Sequence, residues 1–295
     1  MDWDDLRYFV TLARTGKLTV AARQLGCEHS TVSRRILALE KALGTTLFER
    51  RQTGYFPTQH AEDLLIIAEA IEGQVQRIPS AIGGADFDVA GSVRIGAPDG
   101  FGSYFLAPRI AAHRARYRNL EIQIVAMPRL FSLSKREADI AISLSQPTSG
   151  RLHARKLADY DLGLYAARGY LDQHAPIDHP SHLPGHEFIG YIEDLIFAPE
   201  LDYLPQIMPD VRPMATSSNL IAQMRAAAAG GGLCVLPKFM AMNEPALVRV
   251  LPDAIRLRRS YWLIMHSDTR DLARIRVTAD FIVQEIASAT KDFVF

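Results

Sequence analysis

The sequence predicts two kinds of architecture in one chain: an N-terminal all-α winged helix-turn-helix with a long linker helix, then a C-terminal α/β half. Three observations predict it. Helical apolar spacing fills the first 44 residues and is cut at Gly16, Gly26 and Gly44. Apolar residues from Ala61 to Ile78 then alternate three and four apart. From Ser92 onward, short apolar runs alternate with helical patterns. At 295 residues and 48% hydrophobic content, the chain is long enough for two packed domains.

Trp3, Leu6, Phe9, Val10 and Ala13 recur at helical spacing before Gly16, so residues 2–14 are expected to form a first helix. Thr19 is placed to cap a second helix through Leu25, which Gly26 ends. Val32, Ile36, Leu39 and Leu43 stripe a third helix that closes at Gly44. Only "GCEH" separates the second helix from the third, and two helices joined so tightly form a helix-turn-helix whose second member enters a DNA major groove. In "TTLFERRQTGYFPTQHA", residues 45–61, apolar pairs flank charges and Gly54 permits a turn; this is a hairpin wing with arginines near its tip. Ala61, Leu64, Ala68, Ile71, Val75 and Ile78 form a heptad seam, for which a partner helix and hence a dimer is expected. Pro79, Gly83 and Gly84 should kink or end that helix and supply a hinge.

Beyond the hinge, strands are expected at 92–97, 120–127, 139–144, 161–167, 187–192, 232–237 and 260–266, with helices near 102–117, 218–229 and 272–288. That rhythm predicts a mainly parallel sheet.

Cys27 and Cys234 are the only cysteines and lie far apart, so neither a disulfide framework nor a cysteine metal site is implied and a reducing compartment fits. The opening residues carry no basic patch followed by an apolar run, and no apolar stretch reaches the roughly 18 residues of a membrane span. A cytoplasmic protein with no membrane partner is expected. Formal net charge is +0, but residues 7–51 hold nine basic side chains against three acidic ones, which points one end at a polyanion.

"LRYFVTLARTGKLTVAARQLGCEHSTVSRRILALEKALGTTLFERR" resembles the winged helix-turn-helix of LysR-type transcriptional regulators, and the similarity extends over nearly the entire chain. It implies a DNA-binding domain at 1–60, a linker and dimerisation helix at 58–90, and an effector-binding domain at 91–295. That last domain is expected to be two-lobed and periplasmic-binding-protein-like, with lobe I at 91–160 and 268–295 and lobe II at 161–267. His29, Ser30, Thr31, Ser33 and Arg34 fall on the first turns of the third helix, where side chains reach base edges and phosphates. Arg35 lies about 100° round the helix from Arg34, so Arg34 is assigned as base reader and Arg35 as phosphate contact or solvated. Arg50 and Arg51 on the wing are assigned to the DNA backbone or minor groove. The plain alternative is capping residues beside a solvated charged face. Glu28 stands where the family often has a serine cap, and His29 where it often has glutamine, so an altered base preference is expected.

In the distal half, "GAPDGFGSYF" lacks both GxGxxG and a Walker lysine, and reads as a strand-to-helix junction. Asp99, Gly100, Phe101, Gly102 and Ser103 there, with Ser217, Ser218 and Asn219 opening a later helix, present hydroxyls and N–H groups suited to clamp a carboxylate. Ordinary helix capping is the competing reading of each. The resemblance places the effector cleft between these segments, with Phe131 and Ser132 on its wall. Gly230, Gly231 and Gly232 read as a helix stop, and Met224 as helix core. His174, His179, His182 and His186 alternate with prolines in what reads as a surface loop, so no metal site is expected. No GxSxG, HExxH or carboxylate pair at telling spacing appears.

The expected function is therefore a sequence-specific DNA-binding regulator, not an enzyme, controlled by a small-molecule effector, a carboxylate being the candidate, with no other cofactor. Double-stranded promoter or operator DNA, a second copy of the chain through the linker helix and RNA polymerase are the expected partners, and the resemblance implies tetramers built as dimers of dimers. The rival reading is a solute-binding protein or enzyme carrying an N-terminal interaction module.

Overall fold

The computed structural model describes residues 2–82, 89–129, 131, 133, 137–148 and 150–295, and between 70 and 82 it describes the side chains of Ile71, Glu72 and Val75 alone. Gly83, Gly84 and Ser132 lie outside the described residues. The chain divides into two compact units, Met1–Phe87 and Asp88–Phe295.

In the first unit, helix α1 (Trp3–Thr15) begins on a capping box: the Asp2 carboxylate accepts the Asp4 N–H while the Asp5 carboxylate accepts the N–H of Asp2. Helix α2 spans Leu18–Leu25. Thr19 does not cap it; the N–H groups of Val20 and Ala21 already bond to the Lys17 carbonyl, which starts the helix ahead of Thr19. Gly26 ends α2 with a left-handed φ of 66°, and helix α3 (His29–Leu43) follows. Phe9, Leu12, Val32, Ile36, Leu39 and Leu47 are buried together between the three helices. Strands β1 (Phe48–Arg51) and β2 (Gly54–Pro57) pair antiparallel with Arg51 opposite Gly54, which is the expected wing.

Helix α4 (Gln59–Ile82) runs on past Pro79, so that proline does not end it, and Gly83 and Gly84, the other residues expected to kink or end it, lie outside the described residues. Its apolar seam also needs correction. Ala61 and Ala68 are buried in the unit's own core, and Leu64 and Ile71 pack against it. The first half of the seam therefore faces α1 within the same chain, where Arg14 grips Glu69 (3.2 Å) and Glu72 (2.6 Å). Among the described side chains of α4, the large apolar ones left exposed are Ile66, Ile67 and Val75.

The second unit is built on one nine-stranded sheet. Strands β3 (Gly91–Ala97), β4 (Leu120–Ala126) and β5 (Ile140–Ser143) are parallel and carry a π-helical turn (Phe101–Leu106) that continues into helix α5 (Ala107–Arg116). Strand β6 (Leu152–Ala167) leads to helix α6 (Arg168–Gln173), strand β7 (Phe188–Gly190), helix α7 (Leu204–Ile207) and strand β8 (Ala215–Thr216). Helix α8 (Leu220–Ala228), strand β9 (Leu233–Pro237), helix α9 (Lys238–Ala241) and strand β10 (Leu247–Val250) complete that part. Strand β11 (Leu257–His266) then returns, followed by helices α10 (Ala273–Ser288) and α11 (Thr290–Phe293).

The sheet is mixed rather than mainly parallel. The ladders among β3, β4 and β5 and among β7, β8 and β9 are parallel, but β11 lies antiparallel between β5 and β6, and β6 pairs antiparallel with β9 and β10. The two long strands β6 and β11 run from one parallel set to the other. The lobe boundary expected at residues 160 and 161 falls inside β6, and residues 262–265, expected in lobe II, pair with β5 of lobe I. The first ten residues of β6, "LHARKLADYD", carry charged side chains throughout and give no apolar run, which is why only 161–167 is legible as a strand.

Candidate functional site

At the N-terminal unit, α3 presents its first turns to solvent. His29, Ser30 and Arg34 are exposed and Thr31 and Ser33 half-buried, while Val32 and Ile36 anchor the opposite face. Glu28 precedes the helix without a side-chain cap, in keeping with a weak N-cap. Arg34 makes no ion pair or hydrogen bond to any described residue and is free to meet an external acceptor. Arg35 is different. Its guanidinium bonds to Asp2 (2.9 Å) and Asp5 (3.1 Å) and sits 5.6 Å from the Tyr8 ring centre. The expectation of a phosphate contact or a solvated side chain is thus corrected: Arg35 staples α3 to the start of α1.

The wing is held at a fixed place beside α3. Glu40 on that helix accepts the N–H groups of Leu47 (2.8 Å) and Phe48 (3.2 Å), and the Tyr55 N–H bonds to the Gly16 carbonyl (2.8 Å). Gly54 is required there, because its φ is 144° and a Cβ would stand 2.5 Å from the Gly16 carbonyl oxygen. Arg50 lies 5.7 Å from the Tyr55 ring centre; Arg51 pairs with Glu49 at 2.6 Å, an exposed and easily exchanged pair.

In the distal unit, the segments expected to clamp a ligand meet each other. The Asp99 carboxylate, 4% exposed, accepts the Leu220 N–H at 2.8 Å, with the N–H groups of Ile221 and Gly100 also facing it. Burial raises the Asp99 carboxyl above the ordinary carboxylate range, and these N–H groups offset part of that. The start of α8, expected to receive the carboxylate of a ligand, therefore receives a carboxylate of the protein. A second bridge joins the lobes where Ser145 donates to Glu200 at 2.8 Å.

The remaining candidates take structural places. A Cβ on Gly100 would run into the Met240 thioether, so this residue lets the two lobes touch. Phe101 is fully buried in the core, and Gly102 lets the π-helical turn pack on Ala126. Ser103 is exposed. Asn219 caps α8 by accepting the Ala222 N–H, and Ser217 accepts the N–H of Asn219, so the capping reading holds for these two. Ser218 is half-buried in the same turn. Phe131 packs over Gly96 and lines an outer chamber. Among the described residues no group of three or more His, Cys, Asp or Glu is placed to hold a metal ion; His174 instead stacks on Tyr170 at 3.9 Å.

Of the side chains that line the cleft, sequence reasoning finds Asp99, Phe101 and Phe131 and misses Glu200 and the tyrosines. Between the bridges lies an inner cavity of about 20 Å³ walled by Asp99, Glu200, Tyr160, Tyr191, Tyr203 and Tyr261. Burial holds all four tyrosines above the ordinary phenol value, so they stay neutral. An outer chamber of about 370 Å³ adjoins it across Pro98, Leu144 and Phe197 and is lined mostly by apolar side chains. The tyrosines come from β6, β11 and two loops, and no local motif joins them.

Comparison with known proteins accounts for both units. Residues 3–62 match the family model described as bacterial regulatory helix-turn-helix protein, lysR family, and residues 88–287 match LysR substrate binding domain. The Mau operon transcriptional activator of Paracoccus denitrificans is 27% identical over 97% of this chain and 99% of its own length. The HTH-type transcriptional regulator CrgA of Neisseria meningitidis serogroup C is 24% identical over 97% of each chain, and the structure of a Neisseria meningitidis CrgA superposes with a TM-score of 0.61. A full-length OxyR variant from Pseudomonas aeruginosa, 21% identical, covers 97% of this chain and 94% of its own with a TM-score of 0.76, a likeness of fold.

Proposed function

The chain belongs to the LysR family of bacterial transcriptional regulators, and from that premise we propose how its residues divide the work. It is a DNA-binding regulator whose distal domain responds to a small molecule. The observation that carries the assignment of residues is the free, exposed Arg34 on the first turns of α3, beside a wing fixed by Glu40. Arg34, His29 and Ser30 read base edges, Thr31 and Ser33 support them at the groove wall, and Arg50 with Arg51 grips the flanking backbone. Effector binding between the lobes remakes the Asp99 and Ser145 bridges, biasing one of two arrangements of the domain.

Self-association uses the outer face of α4, where Ile66, Ile67 and Val75 are exposed, and pairs of dimers give the tetramer. Regulation rather than catalysis, RNA polymerase as the downstream partner and a cytoplasmic location complete the proposal; no helix among the described residues is long and apolar enough to cross a membrane. A mobility-shift assay on DNA upstream of the gene tests the core of it. Binding that falls with rising salt is expected, with Arg34→Ala weakening operator binding and relaxing sequence preference; an unchanged sequence preference in that variant would refute the reading role.

A further inference from the structure

We propose that the interlobe cleft of this chain selects a primary ammonium head group joined to an apolar tail. The inference rests on the reading of that cleft as the effector site. Its inner cavity presents two carboxylates, Asp99 and Glu200, and four neutral tyrosines, with no lysine, arginine or histidine among the described residues of its wall. Neither carboxylate has an ion-pair partner among the described residues. Asp99 is 4% exposed and held by N–H groups that offset part of its desolvation, with no cation paired to it among the described residues, so an entering cation supplies the opposite charge that it lacks.

Tyr191 supplies an independent pointer. It is 7% exposed and lines the cavity, yet its hydroxyl makes no hydrogen bond to a described residue, so it is open to a ligand; beside two carboxylates, its lone pairs are available to an ammonium N–H. Aromatic faces add to the preference for a cation; Tyr160 and Tyr261 are stacked at 4.2 Å, and such walls attract ammonium groups through their quadrupoles. An anion meets the opposite situation, because the α8 N–H groups it would need already hold Asp99.

The dimensions divide the ligand into two parts. About 20 Å³ is room for one water-sized group, which an –NH₃⁺ head matches and a ring does not. The adjoining chamber of about 370 Å³, walled by Phe131, Leu133, Ile142, Leu144, Phe197 and Ile264, suits a short alkyl or aralkyl tail. Among the described residues its one cationic wall residue, Arg129, is paired with Glu137 at 3.0 Å.

Calorimetry and thermal melts of the full chain at neutral pH test this with three probes sharing one tail: phenethylammonium, phenethyl alcohol and phenylpropanoate. Saturable binding of phenethylammonium is expected, at least tenfold tighter than the alcohol, with no saturation by the carboxylate. Asp99→Asn should weaken the ammonium at least tenfold and leave the alcohol unchanged. Glu200→Gln, at a half-buried site, should weaken it several-fold and keeps the test open should the first variant fold poorly. No saturable ammonium binding, equal affinity for the alcohol, or affinity unchanged in Glu200→Gln overturns the proposal. Saturation by phenylpropanoate overturns it while leaving the cleft as an effector site. Ammonium binding that never alters operator affinity sinks the effector reading instead and leaves the ligand class standing.

Discussion

Arg34 and Arg35 are chemically identical neighbours that the fold assigns to different work, and substituting each to alanine separates recognition from stability. Arg34 is exposed with no partner among the described residues, so Arg34→Ala removes the proposed base reader and little else. A bidentate contact to a base contributes about 1–3 kcal/mol of discrimination, which at about 1.4 kcal/mol per tenfold is roughly 5- to 150-fold in specific affinity. The melting temperature of its N-terminal unit should move by no more than about 4 °C, because surface changes of this kind stay within about 0.5 kcal/mol. Arg35→Ala instead cuts the bonds to Asp2 and Asp5 and leaves the Asp5 side chain, 5% exposed, without its cation. It should lower the melting temperature of the N-terminal unit and leave discrimination intact in the fraction that stays folded. Fluorescence anisotropy with operator and scrambled duplexes over a salt series, beside melts of both variants, provides the measurement. Unchanged discrimination in Arg34→Ala, or a wild-type melt with weakened discrimination in Arg35→Ala, would show that the two roles have been assigned the wrong way round.

Three further outcomes are expected. Gly54→Ala forces a side chain onto a φ of 144° and against the Gly16 carbonyl, at a cost of about 1–3 kcal/mol, and should weaken binding to all duplexes alike; selective loss on one sequence would argue against a positioning role. Gly100→Ala wedges a methyl group against Met240 between the lobes and should lower the melting temperature of the distal unit by a few degrees, since overpacking costs about 1–3 kcal/mol; a neutral result would mean the lobes part freely there.

The third concerns two carboxylates with opposite responses to pH. Burial alone would raise Asp161, but the bonds from Arg258, the Phe295 N–H and Arg256 hold its carboxyl below the ordinary 3.8. Its ionised form therefore stabilises the fold at neutral pH, and that share is lost as pH falls below about 3.8 toward its folded value. The deficit of Asp161→Asn should shrink in strong acid. Asp99 is raised, so its contribution declines as pH climbs through 3.8 and its folded value; Asp99→Asn should gain on wild type from acid to neutral pH. Parallel trends for the two variants, in urea titrations across pH, would contradict the assignment.

The periodic parts of the fold were legible because burial imposes the period. Val32, Ile36 and Leu39 are fully or almost fully buried and one turn apart, so the helix that carries the readers could be placed by residue number. Ala61, Leu64 and Ala68 have the same periodicity, but period alone does not say whose surface covers a stripe, and here it is the chain's own α1. The clamp at the cleft was half legible. Asp99 and the start of α8 were found from their loop chemistry, yet which fills which depends on the lobes meeting, a contact spanning 121 residues. Tyr160, Tyr191, Tyr203 and Tyr261 left no pattern because they converge only after the strands pair.

Strands β6 and β11 pair with each other from Leu152 opposite His266 to Leu162 opposite Leu257, passing from one lobe to the other with a single register shift at Tyr261 and Trp262. Such a ribbon has no slack, so the lobes move apart only by changing its twist, with the register slip at Tyr261 and Trp262 as the compliant point. On the proposed effector reading, the two arrangements of the domain differ in the twist of this ribbon, and ligand occupancy sets their proportions.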